Sequence, residues 1–579
     1  MVSEPENPSI SQADSPVVEK KKYRFPDWVY LLFVSVGVFL FIFLAYMFIR
    51  PLAAGEESSN HGMYAKLFGL IIVFGLTVLL VVLRVKKGPF SLQQKIMFAM
   101  AYALVIQVVY MLYTGPQSRQ HDMSYPSAER LANGDYGDGH FAYAMSFYVN
   151  MRMPTVTSPD AVYQFYHPPL NAFVQGVFMR IFEAVNPFAY NESDAIILFG
   201  CTSILSCFYM FLTGLFFVKA ILLTDLSPNG KFIASLFVLL FPRLTQLSGQ
   251  LNNDSLALAL SAITIYFFLK WYLRGYSWRD ILLAGLFTGL SMFAKMSAAV
   301  ICLGMAIGFL VVLIKVIAKK EENGFALKTV IFQYLAFLAI AAPIGLWFQA
   351  YSHYVYGLPW NYVFDNLNSS LFNGTRDYVL SHHPDRITSF DRNNSGLAYT
   401  SGFYNFLIRF VFPFHFEDFL NSTRLFPYCS PFSDYNLSVY ALRSAIFGEF
   451  SYWHGLAEAF AVIAFLSNFF LYYGVIIYLV YCFFEFLRKN KPLGKEGMIF
   501  FYLLIGCVVM YLYLQIKMPY GCSMDFRYIV PIILPFGYMV ARANDNLKGG
   551  TFPPALKYGL LGSGAIFLVS SYCFYFAAI

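Results

Sequence analysis

Four short segments carry the side chains able to do acid–base or anion chemistry. The first, residues 118–170, gathers His121, Asp122, Glu129, Asp135, Asp138, His140 and His167 among tyrosines and ends in QFYHPPL. The second, GQLNNDSLAL (249–258), sets Asn252, Asn253 and Asp254 side by side at the start of an apolar run. The third, FAKMS (293–297), breaks a long apolar stretch with Lys295. The fourth, CSMDFRYIVPIILP (522–535), opens with Asp525, Arg527 and Tyr528. A carboxylate near a membrane boundary is partly desolvated, and its neighbours can tune it into a base. An arginine fork grips phosphate in two places, and a lysine adds a point charge. Each segment also has a plain structural reading. Asn, Asp and Ser are preferred helix caps, a lysine at a hairpin tip can snorkel, an Arg–Tyr pair can anchor a helix at the interface, and the acids of 118–170 suit a solvated loop. No Walker A, HExxH or GxSxG motif is present, and no GxGxxG stands in a strand context.

The elements that must position these residues follow from composition. Of 579 residues, 58% are hydrophobic and only 13% charged, with a mean hydropathy of +0.56. Soluble domains carry about 25% charge, so the apolar surplus needs lipid as its solvent. A disordered chain, a collagen and a basic nucleic-acid-binding domain are excluded. The net charge of +7 reports orientation rather than a partner. Eight cysteines without a C-x-x-C pair give neither a disulfide framework nor a zinc knuckle.

The expected fold is an all-α polytopic membrane protein of about thirteen spans. Residues 1–27 read as a disordered cytoplasmic tail, and 28–49 as a retained signal anchor. Further spans are expected near 65–84, 95–114, 195–222, 231–249, 253–270, 279–294, 297–316, 329–350, 456–486, 497–516, 527–542 and 556–577. Basic clusters at 84–95, 270–279, 315–328, 488–495 and 542–548 fall on alternate loops and mark the inside. The long loops 115–167 and 351–455 contain no Lys and belong outside. Parity then forbids the segment 168–187 from crossing. Its Pro pair suits a first helical turn, and Asn171, Gln175, Arg180 and Glu183 suit an amphipathic helix at the outer interface. The loop 351–455 holds five N-x-S/T triplets, at Asn368, Asn373, Asn393, Asn421 and Asn436, and a helix-like YALRSAIFGEF (440–450). The chain divides accordingly: the tail, two N-terminal helices (28–94), a core (95–350) with the first outer loop at 115–194, the large loop (351–455) and C-terminal helices (456–579).

An outer loop with an acid near its start, followed by a PPL-headed interfacial helix, resembles the opening of the GT-C superfamily of polyprenyl-phosphate-sugar-dependent glycosyltransferases. YHPPLNAF (166–173) is similar to the HPPLGK segment of protein O-mannosyltransferases and the KPPL segment of aminoarabinose lipid A transferases. RQHD (119–122), LNNDSLAL, FAKMS and DFRYIVPIILP occupy positions where such proteins carry similar segments. The likeness covers roughly 95–545. Two helices at 28–84 precede what would be the family's first helix, His121-Asp122 replaces the mannosyltransferases' Asp-Glu pair, and Asn171 follows PPL directly where they have Gly-Lys. These departures exclude a protein O-mannosyltransferase reading as such and leave sugar and acceptor open.

The resemblance implies an inverting glycosyltransferase that moves a sugar from a polyprenyl-phosphate carrier to a glycan, lipid or protein hydroxyl at the extracytoplasmic face. Asp122 is then the base, with Asp138 beside His140 as the competing assignment. Arg527, Lys295 and Tyr528 hold the phosphate, with Arg243 a third cation. His121, Asp138, His140, Tyr166, His167, Asn252, Asn253 and Asp254 line the pocket. No cofactor is assigned with it. A divalent metal is a further possibility through His121, Asp122, Asp138 and His140, although their spacing matches no standard site. Partners are the lipid-linked donor, the acceptor and membrane lipid, not nucleic acid. A transporter or lipid flippase would instead place ionisable groups near mid-membrane and show internal repeats, and a sugar-polymer ligase would lack the HPPL context. The topology is directly testable. A single cysteine at position 180 should react with an impermeant thiol reagent from the outer side; labelling only from the cytosolic side would reverse the assignment.

Overall fold

The computed structural model describes residues 27–54, 61–114, 139–153, 165–185, 200–318, 326–360, 437–448, 456–488, 493–517, 525–545 and 553–577. The N-terminal tail, His121, Asp122, Asp138, the five sequons and most of the large loop lie outside these residues. Among the described residues all regular structure is helical, with no strand. Helices α1 (Asp27–Ala54), α2 (His61–Lys87) and α3 (Leu92–Tyr113) come first. Two shorter ones follow, α4 (Gly139–Asn150) and α5 (Leu170–Val185). Helix α6 (Thr202–Leu222) leads into α7 (Pro228–Leu239) and α8 (Pro242–Ser248). Next come α9 (Asp254–Leu273), α10 (Trp278–Ala294), a 3-10 turn at Met296–Ile301, α11 (Cys302–Ile317), α12 (Leu327–Gly345) and α13 (Trp347–Tyr356). Helices α14 (Leu437–Phe447), α15 (Leu456–Leu487) and α16 (Gly494–Lys517) precede two 3-10 turns, Phe526–Tyr528 and Val530–Ile532. Helices α17 (Ile533–Asp545) and α18 (Pro554–Ala577) complete the bundle.

Ten of these helical segments are long and apolar enough to cross a membrane, or eleven if α7 and α8 count as one bent span. The expected thirteen differ at three places. The run 231–249 is broken by 40° between α7 and α8, α10 has 17 residues, at the lower limit of a span, and the run 527–542 opens as 3-10 turns and yields only a 13-residue helix. Apolar side chains face outward: Leu70, Ile71 and Phe74 on α2 are 66%, 63% and 71% exposed. Water would not tolerate such a surface, and lipid does. The protein is an integral, multi-pass membrane protein.

Two ends of the bundle are chemically distinct. At one, Arg542 pairs with Asp225 at 3.1 Å, Lys270 with Asp280 at 3.0 Å, and Lys495 lies over the rings of Tyr272 and Tyr276. Asp545 accepts from the Ser227 backbone N–H at 2.6 Å and so fastens the start of α7 to the end of α17. Lys95 lies over Phe232. Four of the basic clusters thus meet here. Asp254 begins α9 at the other end, about 30 Å away at 1.5 Å per residue.

Toward that second end the fold is held by a break and a clamp. Pro242 starts α8 after the kink at Leu240 and Phe241, where helical hydrogen bonding lapses. Hydroxyls from α18 hold the break: Tyr572 donates to the Leu240 carbonyl at 2.8 Å, between the two helices, and Tyr575 reaches that of Pro242 at 3.1 Å. The break presents Arg243, which is 1% exposed, to Asp525 at 2.7 Å. Arg243 also donates to Gln246 and to the Ser444 carbonyl on α14, and Ser444 Oγ accepts from the Phe526 N–H at 2.9 Å. Gly448 closes α14 at φ +65°, where a Cβ would come within 2.5 Å of Arg243 Nη1. One guanidinium thereby ties α8, α14 and the turn bearing Arg527 together. Removing either partner strands a buried charge, so Arg243→Ala and Asp525→Ala should each cost about 3–5 kcal/mol. The double Arg243→Met, Asp525→Leu variant should lose far less, as read from thermal unfolding in detergent. Additive losses would show that the two residues do not act as a pair.

Candidate active site

The N-terminal end of α9 is built from the LNND run. Asn252 Oδ1 accepts from the Asp254 N–H at 3.2 Å, and Asn252 Nδ2 donates to Gln250 Oε1 at 3.0 Å. Asn253 occupies the cap position without a side-chain capping bond, and both its amide atoms are buried and unpaired. The capping reading therefore accounts for Asn252 and leaves Asn253 over. Asp254 is 5% exposed and directs Oδ1 to Lys295 Nζ at 2.7 Å, while its Oδ2 has no hydrogen-bond partner.

Lys295 sits where α10 gives way to the 3-10 turn, with φ −157° and ψ 126° at the junction. It is 3% exposed, so it does not snorkel into the interface. Its ammonium also lies 5.1 Å from the centre of the Tyr528 ring. The Arg527 guanidinium lies 5.2 Å from the same ring. A desolvated cation over an aromatic face is held by the ring quadrupole, so Tyr528 steadies both charges. Asp525 caps the turn through the Arg527 N–H at 2.6 Å.

Asp254, Arg527 and Tyr528 meet on a small open cleft, which Lys295 borders through its pairing with Asp254. Asp254, Ser261, Ser297, Arg527 and Tyr528 supply its polar wall, and Leu247, Ala257, Leu258, Ala298, Val300, Val530 and Pro531 the rest. Arg243 is not part of the lining; it acts on the cleft through Asp525. The lining thus combines charged and hydroxyl side chains with apolar ones.

The HPPL segment abuts the same wall. Leu170, the first residue of α5, packs against Leu256, Ala257, Ala294 and Ala298, and Ala257 and Ala298 line the cleft. The Phe173 N–H bonds the Pro169 carbonyl at 2.9 Å, so the Pro pair begins the helix as expected. Just before it, His167 stacks on the buried His140 with ring centres 5.6 Å apart and planes 7° from parallel, and Tyr166 lies 4.4 Å from His167. Tyr143 donates to the His167 carbonyl at 3.2 Å; burial pushes its phenol well up, so it stays a donor. Arg180, on α5, caps the end of α4 by donating to the Val149 carbonyl at 2.9 Å, and Glu183 accepts from Tyr148 at 2.7 Å. The polar residues of α5 thus fasten α4 beside the cleft.

Of the expected site residues, Asp254, Lys295, Arg527 and Tyr528 are brought together, Asn252 and Asn253 adjoin Asp254, and Tyr166, His167 and His140 form a neighbouring aromatic stack. Among the described residues no group of three or more His, Cys, Asp or Glu could hold a metal ion. Sequence reasoning missed Gln246, Ser444, Gly448 and Arg443. Arg443 is 2% exposed and lies over the Tyr440 ring. Its signal was an arginine inside the apolar run YALRSAIF; the other three had none.

Among curated proteins, none matches the chain. Residues 166–347, from the tyrosine before HPPL through Asp254 and Lys295 to the start of α13, do match a family model, that of the dolichyl-phosphate-mannose-protein mannosyltransferases, a glycosyltransferase family of the GT-C type that the HPPL segment resembles.

Proposed function

We propose that the protein is an inverting glycosyltransferase that moves a sugar from a polyprenyl-phosphate carrier to an acceptor hydroxyl at the extracytoplasmic face of the membrane. The observation that carries this is that Asp254, Arg527 and Tyr528 line one cleft beside HPPL, with the Lys295 ammonium paired to Asp254 and set against the Tyr528 ring. Such a donor presents an anionic headgroup on a hydrocarbon tail, and its phosphate is both anchor and leaving group. Arg527 and Lys295 receive the charge that develops on that phosphate as the glycosidic bond breaks. Arg243 holds the turn that carries Arg527. The ion pairs lie at the ends of helices, not at mid-span, which favours an enzyme over a transporter. The sharp division between a basic end and the cleft end supports an outward-facing site under the positive-inside rule. The matched family's description names dolichyl-phosphate-mannose and protein; for this chain the sugar and the acceptor class stay open.

Asp122 is the base in this reading, taking the acceptor proton as its oxygen attacks the anomeric carbon. Asp122→Asn keeps shape but cannot accept that proton, so turnover should fall by about 10²- to 10⁴-fold with donor binding retained. Asp135→Asn and Asp138→Asn should be much milder. Near-normal transfer in Asp122→Asn with an inactive Asp138→Asn would move the base to Asp138.

For the phosphate, Arg527→Ala should lower donor affinity and turnover together, because the charge it meets grows in the transition state. Arg527→Lys should restore only part, since the fork is lost. Steady-state transfer from a polyprenyl-phosphate sugar in membrane preparations checks both. Unchanged kinetics in Arg527→Ala would reduce the residue to an interfacial anchor.

A further inference from the structure

We propose that the start of α9 reads the sugar of the donor: Asn253 and the second carboxylate oxygen of Asp254 form a subsite for two neighbouring hydroxyls of a sugar ring, beside the phosphate position. The inference rests on the cleft being the donor site proposed above.

Two adjacent side chains there keep hydrogen-bonding groups that the fold does not use. Asp254 lines the cleft and is almost wholly buried. Its Oδ1 is taken by Lys295 Nζ at 2.7 Å, and its Oδ2 has no hydrogen-bond partner among the described residues. Asn253 is 2% exposed, and neither Oδ1 nor Nδ2 of its amide has a partner among them. The local turn does not need that amide. Asn252 closes the turn through the Asp254 N–H at 3.2 Å and Gln250 at 3.0 Å, and Asn253 stands at the cap position without a side-chain capping bond. Buried polar groups are nearly always paired, and each one left over lowers stability. Three such atoms on consecutive residues mark a place where a ligand completes the hydrogen bonding.

The atoms define what that ligand must offer. Asp254 Oδ2 and Asn253 Oδ1 accept, and Asn253 Nδ2 donates. Two acceptors would face the lone pairs of a phosphate oxygen, so the anion belongs elsewhere in the cleft, toward Arg527. A hydrocarbon would leave all three atoms unpaired. A hydroxyl suits both kinds at once, because it donates through its hydrogen and accepts on its oxygen. Two hydroxyls on neighbouring ring carbons present that pattern twice. A sugar bonded to a phosphate at Arg527 brings such a ring to the same cleft. The Lys295 contact fixes the Asp254 carboxylate, so Oδ2 is held in one place for it. A site built to pair a hydroxyl rejects a ring that lacks it, since its own buried groups are then left bare. The start of α9 thereby selects the sugar that the phosphate delivers.

The test measures affinities of the purified full-length protein in detergent for farnesyl phosphate diesters of equal charge. These are the mannosyl, glucosyl, galactosyl and arabinosyl esters, and the cyclohexyl ester, whose ring has no hydroxyls. The wild type should bind at least one glycosyl ester about tenfold or more tightly than the cyclohexyl ester. Asn253→Leu, which removes the amide at nearly constant volume, should lose about tenfold for that glycosyl ester and leave the cyclohexyl ester within about twofold. Its thermal unfolding should come no earlier than that of the wild type, because the amide it removes has no hydrogen bond to lose. Asp254→Asn, which keeps the shape of the Lys295 contact, should show the same selective loss and decides the matter if Asn253→Leu does not fold. If the variants bind the glycosyl ester as the wild type does, or weaken both kinds of ester alike, the two residues only brace the cleft and the proposal is wrong. Equal binding of glycosyl and cyclohexyl esters by the wild type would also overturn it, while leaving the phosphate site standing. If no diester binds, the phosphate site itself is wrong, and the proposal goes with it.

Discussion

A charge inside an apolar bundle has to be neutralised where it stands, and that constraint shapes the cleft end of this protein. Isolated ions lose several kcal/mol each on leaving water, and their mutual attraction makes up the loss only at close range and good geometry. Arg243 and Lys295 meet the requirement with Asp525 and Asp254, both at 2.7 Å. Everything nearby serves these pairs. The kink before α8 brings Arg243 to Asp525, α18 donates to the Leu240 carbonyl in the kink, and the Ser444 carbonyl of α14 accepts from the guanidinium.

The two pairs do different work. The Arg243–Asp525 pair is shut off from the cleft and surrounded by further donors and acceptors on Gln246 and Ser444, so it has the character of a structural rivet. The Lys295–Asp254 pair lies at the cleft wall with an unsatisfied oxygen and an aromatic ring over the cation. An ion pair open to a ligand can exchange partners, whereas a closed one can only break.

The helices around the site are arranged so that precision comes from backbone contact. At the α11–α16 crossing, Gly506 lies so close to the Gly304 backbone that no side chain would fit between them, which is the small-residue packing that membrane helices use in place of a hydrophobic drive. The start of α11, immediately after the Lys295 turn, is fixed by that approach. On the other side of the cleft, α5 is bound to α4 by Arg180 and Glu183, so the HPPL residues are tied to a second helix and not left as a surface loop.

Much of this was legible in the residues alone. The apolar surplus, the placement of most spans and a helix near 440–450, found at Leu437–Phe447, follow from hydropathy and period, because lipid imposes a length and a composition on whatever crosses it. The four chemical segments were also visible, since polar residues in such a background are costly and stand out. The way they combine was not visible. Asp254, Lys295 and Arg527 are separated by 41 and 232 positions in the chain, and nothing in their local context states that the first two are paired, that Tyr528 holds both cations, or that Arg243 points to Asp525 and away from the cleft. The breaks in the 231–249 and 527–542 runs escaped for the same reason. Hydropathy averages over a window, while a kink is decided by which neighbouring hydroxyls and guanidinium can satisfy the backbone and the charges it exposes. Local chemistry is written residue by residue; partnership between buried charges exists only once the helices have packed.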